Sequence, residues 1–226
     1  QMAADESKWA SYIALPPDAY SDMDEAKVGP MIEHLRGCNA YLEPDLMATA
    51  RGFHSNWAQV QQEAREVFTD PDMLAYYPQA AIDDLYENIQ SPEDYLTAEQ
   101  IAVRSAGFRN QMNFLKRYVE AGGKLVAASD ISQSPPGLGV HQEFTAFVEQ
   151  VGLSPMQAIQ AATKWVAEGF RIEDVGSLEV GNHADVLILN ADPLANIRNT
   201  RNIHMVLKDG VVLDRAYHSW YRGGMF

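Results

Sequence analysis

Lys124-Leu-Val-Ala-Ala-Ser-Asp130 is entered from Gly122-Gly123 and left through Ile131-Ser-Gln-Ser-Pro-Pro-Gly-Leu-Gly139, and the fold turns on this stretch. A short apolar run between a glycine pair and a Pro/Gly-rich loop has the length and composition of a buried parallel strand. Its last residue is a carboxylate. The carboxyl edge of a parallel sheet or barrel is where α/β enzymes place their reacting groups. The same local pattern also fits an Asp that merely caps the loop or the turn that follows.

Working outward, His141-Gln-Glu-Phe144 reads as the start of a helix. Val151-Gly-Leu-Ser-Pro-Met-Gln-Ala-Ile-Gln-Ala-Ala-Thr163 follows, then Val175-Gly-Ser-Leu-Glu-Val-Gly-Asn-His-Ala-Asp-Val-Leu-Ile-Leu-Asn-Ala-Asp-Pro-Leu194 and Val206-Leu-Lys-Asp-Gly-Val-Val212. In this order and spacing the segments resemble the C-terminal portion of the amidohydrolase superfamily, in its imidazolonepropionase and prolidase-like branch. The pattern there is a strand ending in Gly-Thr-Asp, a Gly-Leu-Ser/Thr-Pro helix with Ala-Ala-Thr, then Gly-Ser, Ala-Asp and Asp-Pro-Leu elements. No single piece is specific; the ordered set over the last half of the chain carries the resemblance.

The resemblance implies an α/β fold, the C-terminal portion of a (β/α)8 TIM-like metallohydrolase barrel with a helical insertion, plus strands of a small β-sandwich. Residues 1–173 would form the partial barrel, with the insertion at about 51–121, and residues 174–226 the C-terminal part of the sandwich. Asp130 would be the strand-eight Asp, both metal ligand and acceptor of a proton from a metal-activated water that it then passes to the leaving amine. One or two divalent metal ions, zinc foremost, and a small-molecule amide or dipeptide substrate follow from the same resemblance. A dipeptidase or N-acyl amino acid hydrolase is the leading reading, and an imidazolonepropionase-like cyclic amidohydrolase is the enzyme alternative. A catalytically inert structural or binding unit is the non-enzymatic alternative.

Superfamily members carry a His-x-His on the first barrel strand, a bridging Lys on the fourth and single His ligands on the fifth and sixth. The histidines of this chain are His34, His54, His141, His183, His204 and His218, and none forms His-x-His. The 226 residues also fall short of the roughly 250 of a bare eight-stranded barrel. The expectation is therefore a C-terminal part of a longer enzyme, with exposed sheet edges where sandwich partners are missing. One carboxylate does not offset the dehydration of a divalent cation, so residues 1–226 alone are expected to bind no metal tightly and to hydrolyse nothing.

Other candidates carry weaker signals. His141 is either a substrate contact or a helix-start residue bonding to neighbours of the site, and Glu143 shares its segment. Asp45, where the family strand typically ends in Thr, reads as a substrate-facing acid or a loop cap. Gly137 and Gly139 serve loop geometry, since no dinucleotide or phosphate-loop fingerprint surrounds them. Asp185 and Asp192 read as strand and turn chemistry, His183 as surface drift, and His34 and His54 as surface residues without ligand spacing. The cluster Tyr76, Tyr77, Tyr86 and Tyr95 fits helix packing or a pocket lining.

Composition sets the outer bounds. Hydrophobic residues make up 46% of the chain, enough for a core, and no apolar run approaches the ~18 residues of a membrane span. The single cysteine, Cys38, excludes an internal disulfide and leaves the compartment open. Residues 1–100 hold 19 Asp and Glu against 5 Lys and Arg, whereas 101–226 hold 12 of each, so the whole net charge of −14 sits in the first part. Such a chain suits neither nucleic acid nor an anionic membrane, and a homo-oligomer stays open.

Periodicity and capping chemistry predict the elements. Ser21 or Asp22 opens a helix with Val28, Met31, Ile32 and Leu35 inward, closed by Gly37, and 39–45 forms a short strand. Ser55 caps a helix carrying Trp57, Val60, Ala64 and Val67 that breaks at Asp70-Pro71, and Ala80–Ile89 makes a short one. Thr97 with Gln100, and Ser154 with Gln157, form capping boxes. Strands are expected at Ser177–Glu179 and Ala184–Asn190, with a hairpin joining Ile203–Leu207 to Val211–Asp214.

Overall fold

The computed structural model describes residues 17–49, 52–67, 69, 71–74, 79–88, 90–129 and 137–216. Asp130, Tyr76, Tyr77 and His218 lie outside them. The first helix, α1 (Glu25–Gly37), is capped by Asp24, whose carboxylate accepts from the Ala26 amide at 3.1 Å. The cap falls two or three residues beyond the expected Asp22 or Ser21, which lie in a turn closed by Met23 N–H on the Tyr20 carbonyl. Strand β1 (Tyr41–Leu42) follows, then the short α2 (Leu46–Thr49), α3 (Trp57–Val67), α4 (Pro71–Leu74) and α5 (Gln79–Asn88). Ser55 does not cap α3: its hydroxyl bonds the Gln150 side chain at 3.1 Å, and Asn56 supplies the carbonyl for the first turn.

The long α6 (Ala98–Glu120) opens on the Thr97/Gln100 capping box, with Gln100 N–H on the Thr97 hydroxyl and Thr97 N–H on the Gln100 amide oxygen. It ends at Ala121, and Gly122, at φ 89°, turns the chain into β2 (Lys124–Leu125). Gly123 has a steric reason of its own: a Cβ there would lie 2.4 Å from the ring of Tyr118, which is fully buried.

Strand β2 pairs with β1 in parallel, Tyr41 opposite Lys124 and Leu42 opposite Leu125, and Val126 N–H extends the ladder onto the Leu42 carbonyl. Among the described residues, parallel pairing is confined to these two strands. Helix α7 (Gly139–Ala146) runs into a π-turn over Phe147–Val151, then come α8 (Pro155–Ala161), opened by the Ser154/Gln157 box, and α9 (Lys164–Phe170).

One core joins these pieces. Val28 and Ile32 of α1, Phe108, Met112, Leu115 and Tyr118 of α6, and Leu125 of β2 pack with Phe144, Phe147 and Val151. Each such burial contributes roughly 1.5–3 kcal/mol before entropy. Met47, Trp57 and Val60 form a second, smaller cluster that seats α3 beside α2.

The C-terminal part is antiparallel: β3 (Val186–Leu189), β4 (Ile203–Lys208) and β5 (Val211–Val212), in that spatial order. Asp209 and Gly210, both at positive φ, make the tight turn between β4 and β5. Leu187, Ile188, Val211 and Val212 are exposed on this sheet, and β3 and β5 are its two edges. The expected strand at Ser177–Glu179 is absent; Gly176 and Gly181, both at positive φ, turn the chain on either side of it. Between β3 and β4 a 3-10 turn, Ile197–Arg201, returns to the core and buries Ile197 against it. No helix among the described residues is long and apolar enough to cross a membrane.

Candidate active site

The parallel pair gives the molecule a direction. At its carboxyl edge β1 continues through Glu43 and Pro44 to Asp45, and β2 through Val126 to Ser129 toward Asp130. That edge is where reacting groups belong in a β/α architecture. Asp45 sits there in the left-handed region, φ 45°, a conformation that Asp tolerates better than most residues but still at some cost.

Three consecutive polar residues of α7 tie the elements around this edge together. The Glu143 carboxyl group, with no exposure at all, accepts from the amides of Leu46 and Met47 at 3.0 Å each. Gln142 donates to the Val60 carbonyl of α3 at 3.2 Å. His141 meets the Thr200 hydroxyl at 2.9 Å through Nδ1. Thr200 gives its own proton to the Ile197 carbonyl, so His141 Nδ1 is the donor and Nε2 keeps a lone pair. Burial, and then Arg201, lower the His141 pKa, which favours this neutral form.

Glu143 and His54 converge on one residue. His54, expected at the surface, is instead 4% exposed, with its ring 5.3 Å from Phe108. Its Nε2 lies 3.2 Å from the Leu46 carbonyl, which can only accept, so Nε2 carries the proton. Leu46 is thus held at its N–H by Glu143 and at its C=O by His54. Burial pushes the Glu143 pKa up to about 8; the two amides oppose the rise, and Asp45 and Glu43 add to it. Burial lowers His54 to about 4, against the pull of its bond to Leu46.

Helix α3 is fastened over the same region by charge. Glu63 lies 3.4 Å from Arg198 and 3.0 Å from Arg201, and Arg198 also bonds Glu149 and, at 3.1 Å, Gln59. At the opposite end of the parallel strands Lys124 pairs with Glu168 and reaches the Tyr41 hydroxyl at 3.2 Å, a position that serves stability. Asp185 accepts from the Asp209 amide and Asp192 from the Leu194 amide, so both work in turns.

Among the described residues no three His, Cys, Asp or Glu side chains converge as a cation would require. Glu143 and His54, beside the edge that carries Glu43 and Asp45, are both committed to the backbone of α2. The described residues therefore do not by themselves fit a divalent metal. The sequence signal for Glu143 and His54 was weak. His54 lies in a loop, where no periodicity speaks, and Glu143 is a charged residue at the start of a helix; the α2 backbone that each one bonds is brought in by the tertiary fold.

The sequence pattern of the amidohydrolase family matches residues 16–213. No curated protein matches the chain. Among solved structures, the chain is similar to a putative prolidase from Bifidobacterium longum, at 27% identity and TM-score 0.50, over 56% of this chain and 32% of that one. It is also similar to a Xaa-Pro dipeptidase solved with methionine in its active site, at 25% identity and TM-score 0.50, over 86% of this chain and 38% of that one. The chain spans about a third of the length of these structures.

Proposed function

Because this chain belongs to the amidohydrolase family, we propose that the whole protein hydrolyses a carbon–nitrogen bond in a small amide, with a dipeptide or N-acyl amino acid as substrate. The family match over residues 16–213 carries the reading. The two similar structures named for prolidase and Xaa-Pro dipeptidase support the substrate class.

In this proposal Asp130, five residues past the end of β2 in sequence, is the acid–base group. Its carboxylate takes a proton from the attacking water and returns it to the departing amine, so that no charged nitrogen has to leave. Divalent metal, zinc foremost, belongs to the proposal as a cofactor of the whole protein: such an ion lowers the pKa of water to about 7. Asp130 would be one ligand, and the others would come from outside the described residues.

The test is an assay of the whole protein against Xaa-Pro dipeptides, N-acyl amino acids and imidazolonepropionate, with Asp130→Asn beside it. Hydrolysis of the first or second group, lowered by roughly 10²–10⁴-fold in Asp130→Asn, is the expected result. Ring opening of imidazolonepropionate alone would replace the substrate class. Full activity in Asp130→Asn would remove Asp130 from its role.

A further inference from the structure

A buried carboxylic acid that spends both oxygens on backbone amides, and a buried imidazole that spends its proton on a backbone carbonyl, are costly ways to hold four residues of helix. Glu143 and His54 do this to the same residue, Leu46, from opposite sides of its peptide groups. Leu46 has no exposure and Met47 only 2%, so neither amide can turn to water if its acceptor is lost. Immediately before them stands Asp45 in its left-handed conformation, and strained residues of that kind persist only where their surroundings over-determine them.

The location gives the arrangement its meaning. Leu46 opens α2 directly after the exit of β1, and β1 is the hydrogen-bonded parallel neighbour of β2, the strand that precedes Asp130 in sequence, so both strands exit on the same edge. Resting on the hydrolase reading above, we propose that Glu143 and His54 are positioning residues for amide hydrolysis: together they clamp Leu46 and so fix the exit of β1, with Asp45, against the catalytic edge. Neither touches substrate. Each acts through the backbone it holds, and a loosened exit misplaces groups that need sub-ångström alignment in the transition state.

Two variants of the whole protein test this. Glu143→Gln keeps the volume but leaves one amide facing an NH₂ group, and His54→Phe keeps the ring against Phe108 but removes the donor. Each should lower kcat about tenfold with KM within about twofold, and should speed amide hydrogen exchange over residues 43–49 while exchange in α6 stays as it was. A role confined to stability would leave kcat per folded molecule unchanged. Unchanged kcat in both variants, with or without faster exchange, overturns the positioning role. Unchanged exchange over 43–49 overturns the clamp itself. If the unsubstituted protein hydrolyses none of the amides tested, the failure belongs to the function reading and takes the catalytic part of this inference with it, and exchange then decides the clamp alone.

Discussion

Glu143 and His54 enter the same low-dielectric interior with opposite charge types, and their proton affinities move apart, to about 8 and to about 4. The consequences for stability follow from counting protons. Between pH 6.5 and 8 the unfolded chain has released both protons, while the folded chain still holds that of Glu143. Stability therefore falls as pH rises, by about 1.4 kcal/mol per unit. Between 4.5 and 6.5 the unfolded chain holds one proton, on His54, and the folded chain one, on Glu143, and the two effects cancel. Between 4.5 and about 4 the unfolded chain binds both and the folded chain only that of Glu143, so stability dips slightly; below 4 both states hold both protons and this pair contributes no further slope. Urea midpoints should accordingly show a plateau from about pH 4.5 to 6.5 and a descent toward pH 8. The descent should vanish in Glu143→Gln, and a variant with the same alkaline slope as the parent would refute the assignment of that slope to this carboxyl. None of this was legible in the sequence, where His54 reads as a surface residue and Glu143 only as a neighbour of His141 in the segment that starts a helix.

At the scale of elements, local chemistry was the readable part. The Thr97/Gln100 and Ser154/Gln157 capping boxes stand where the sequence places them, because all their partners lie within four residues. The buried run Phe144, Phe147 and Val151, on α7 and the π-turn that continues it, is likewise a matter of helical spacing. The first helix start shifted to Asp24 because two further residues with capping side chains precede it and only the turn at Tyr20 chooses among them. Ser177–Glu179 failed as a strand because β-pattern without a partner does not make a sheet. Gly123 offers an element-scale test. Tyr118 is locked by the core, and its hydroxyl donates to the Ala40 carbonyl at 2.5 Å, so it cannot retreat from a new methyl group. Gly123→Ala should cost about 1–3 kcal/mol in thermal or urea unfolding. A loss below a few tenths would mean that the α6–β2 junction shifts freely, contrary to the close approach described above.

For the whole molecule, the arginines of the 197–201 turn decide how α3 is held. Arg198 reaches Glu63, Gln59 and Glu149, and it is mostly buried in doing so. Removing it leaves the buried Glu63 with Arg201 as its one cation, beside the Gln59 amide that donates to it at 3.3 Å. A charged hydrogen-bond loss of roughly 1.5–3 kcal/mol should then appear as local opening of α3. Arg65, exposed on that helix, reports the opening directly. Trypsin should cut after it roughly 10–100-fold faster in Arg198→Ala, and equal rates in parent and variant would show that apolar contacts at Trp57 and Val60 suffice to hold the helix. The same contact has a consequence in time. Glu63 and Arg198 are 135 residues apart, and a ribosome adds roughly 5–20 residues per second. The acid of α3 thus leaves the ribosome on the order of ten seconds before its arginine exists, and throughout that interval the helix has neither of the cations that seat it. A nascent chain stalled before residue 198 should expose α3 to protease, and one released beyond residue 201 should protect it.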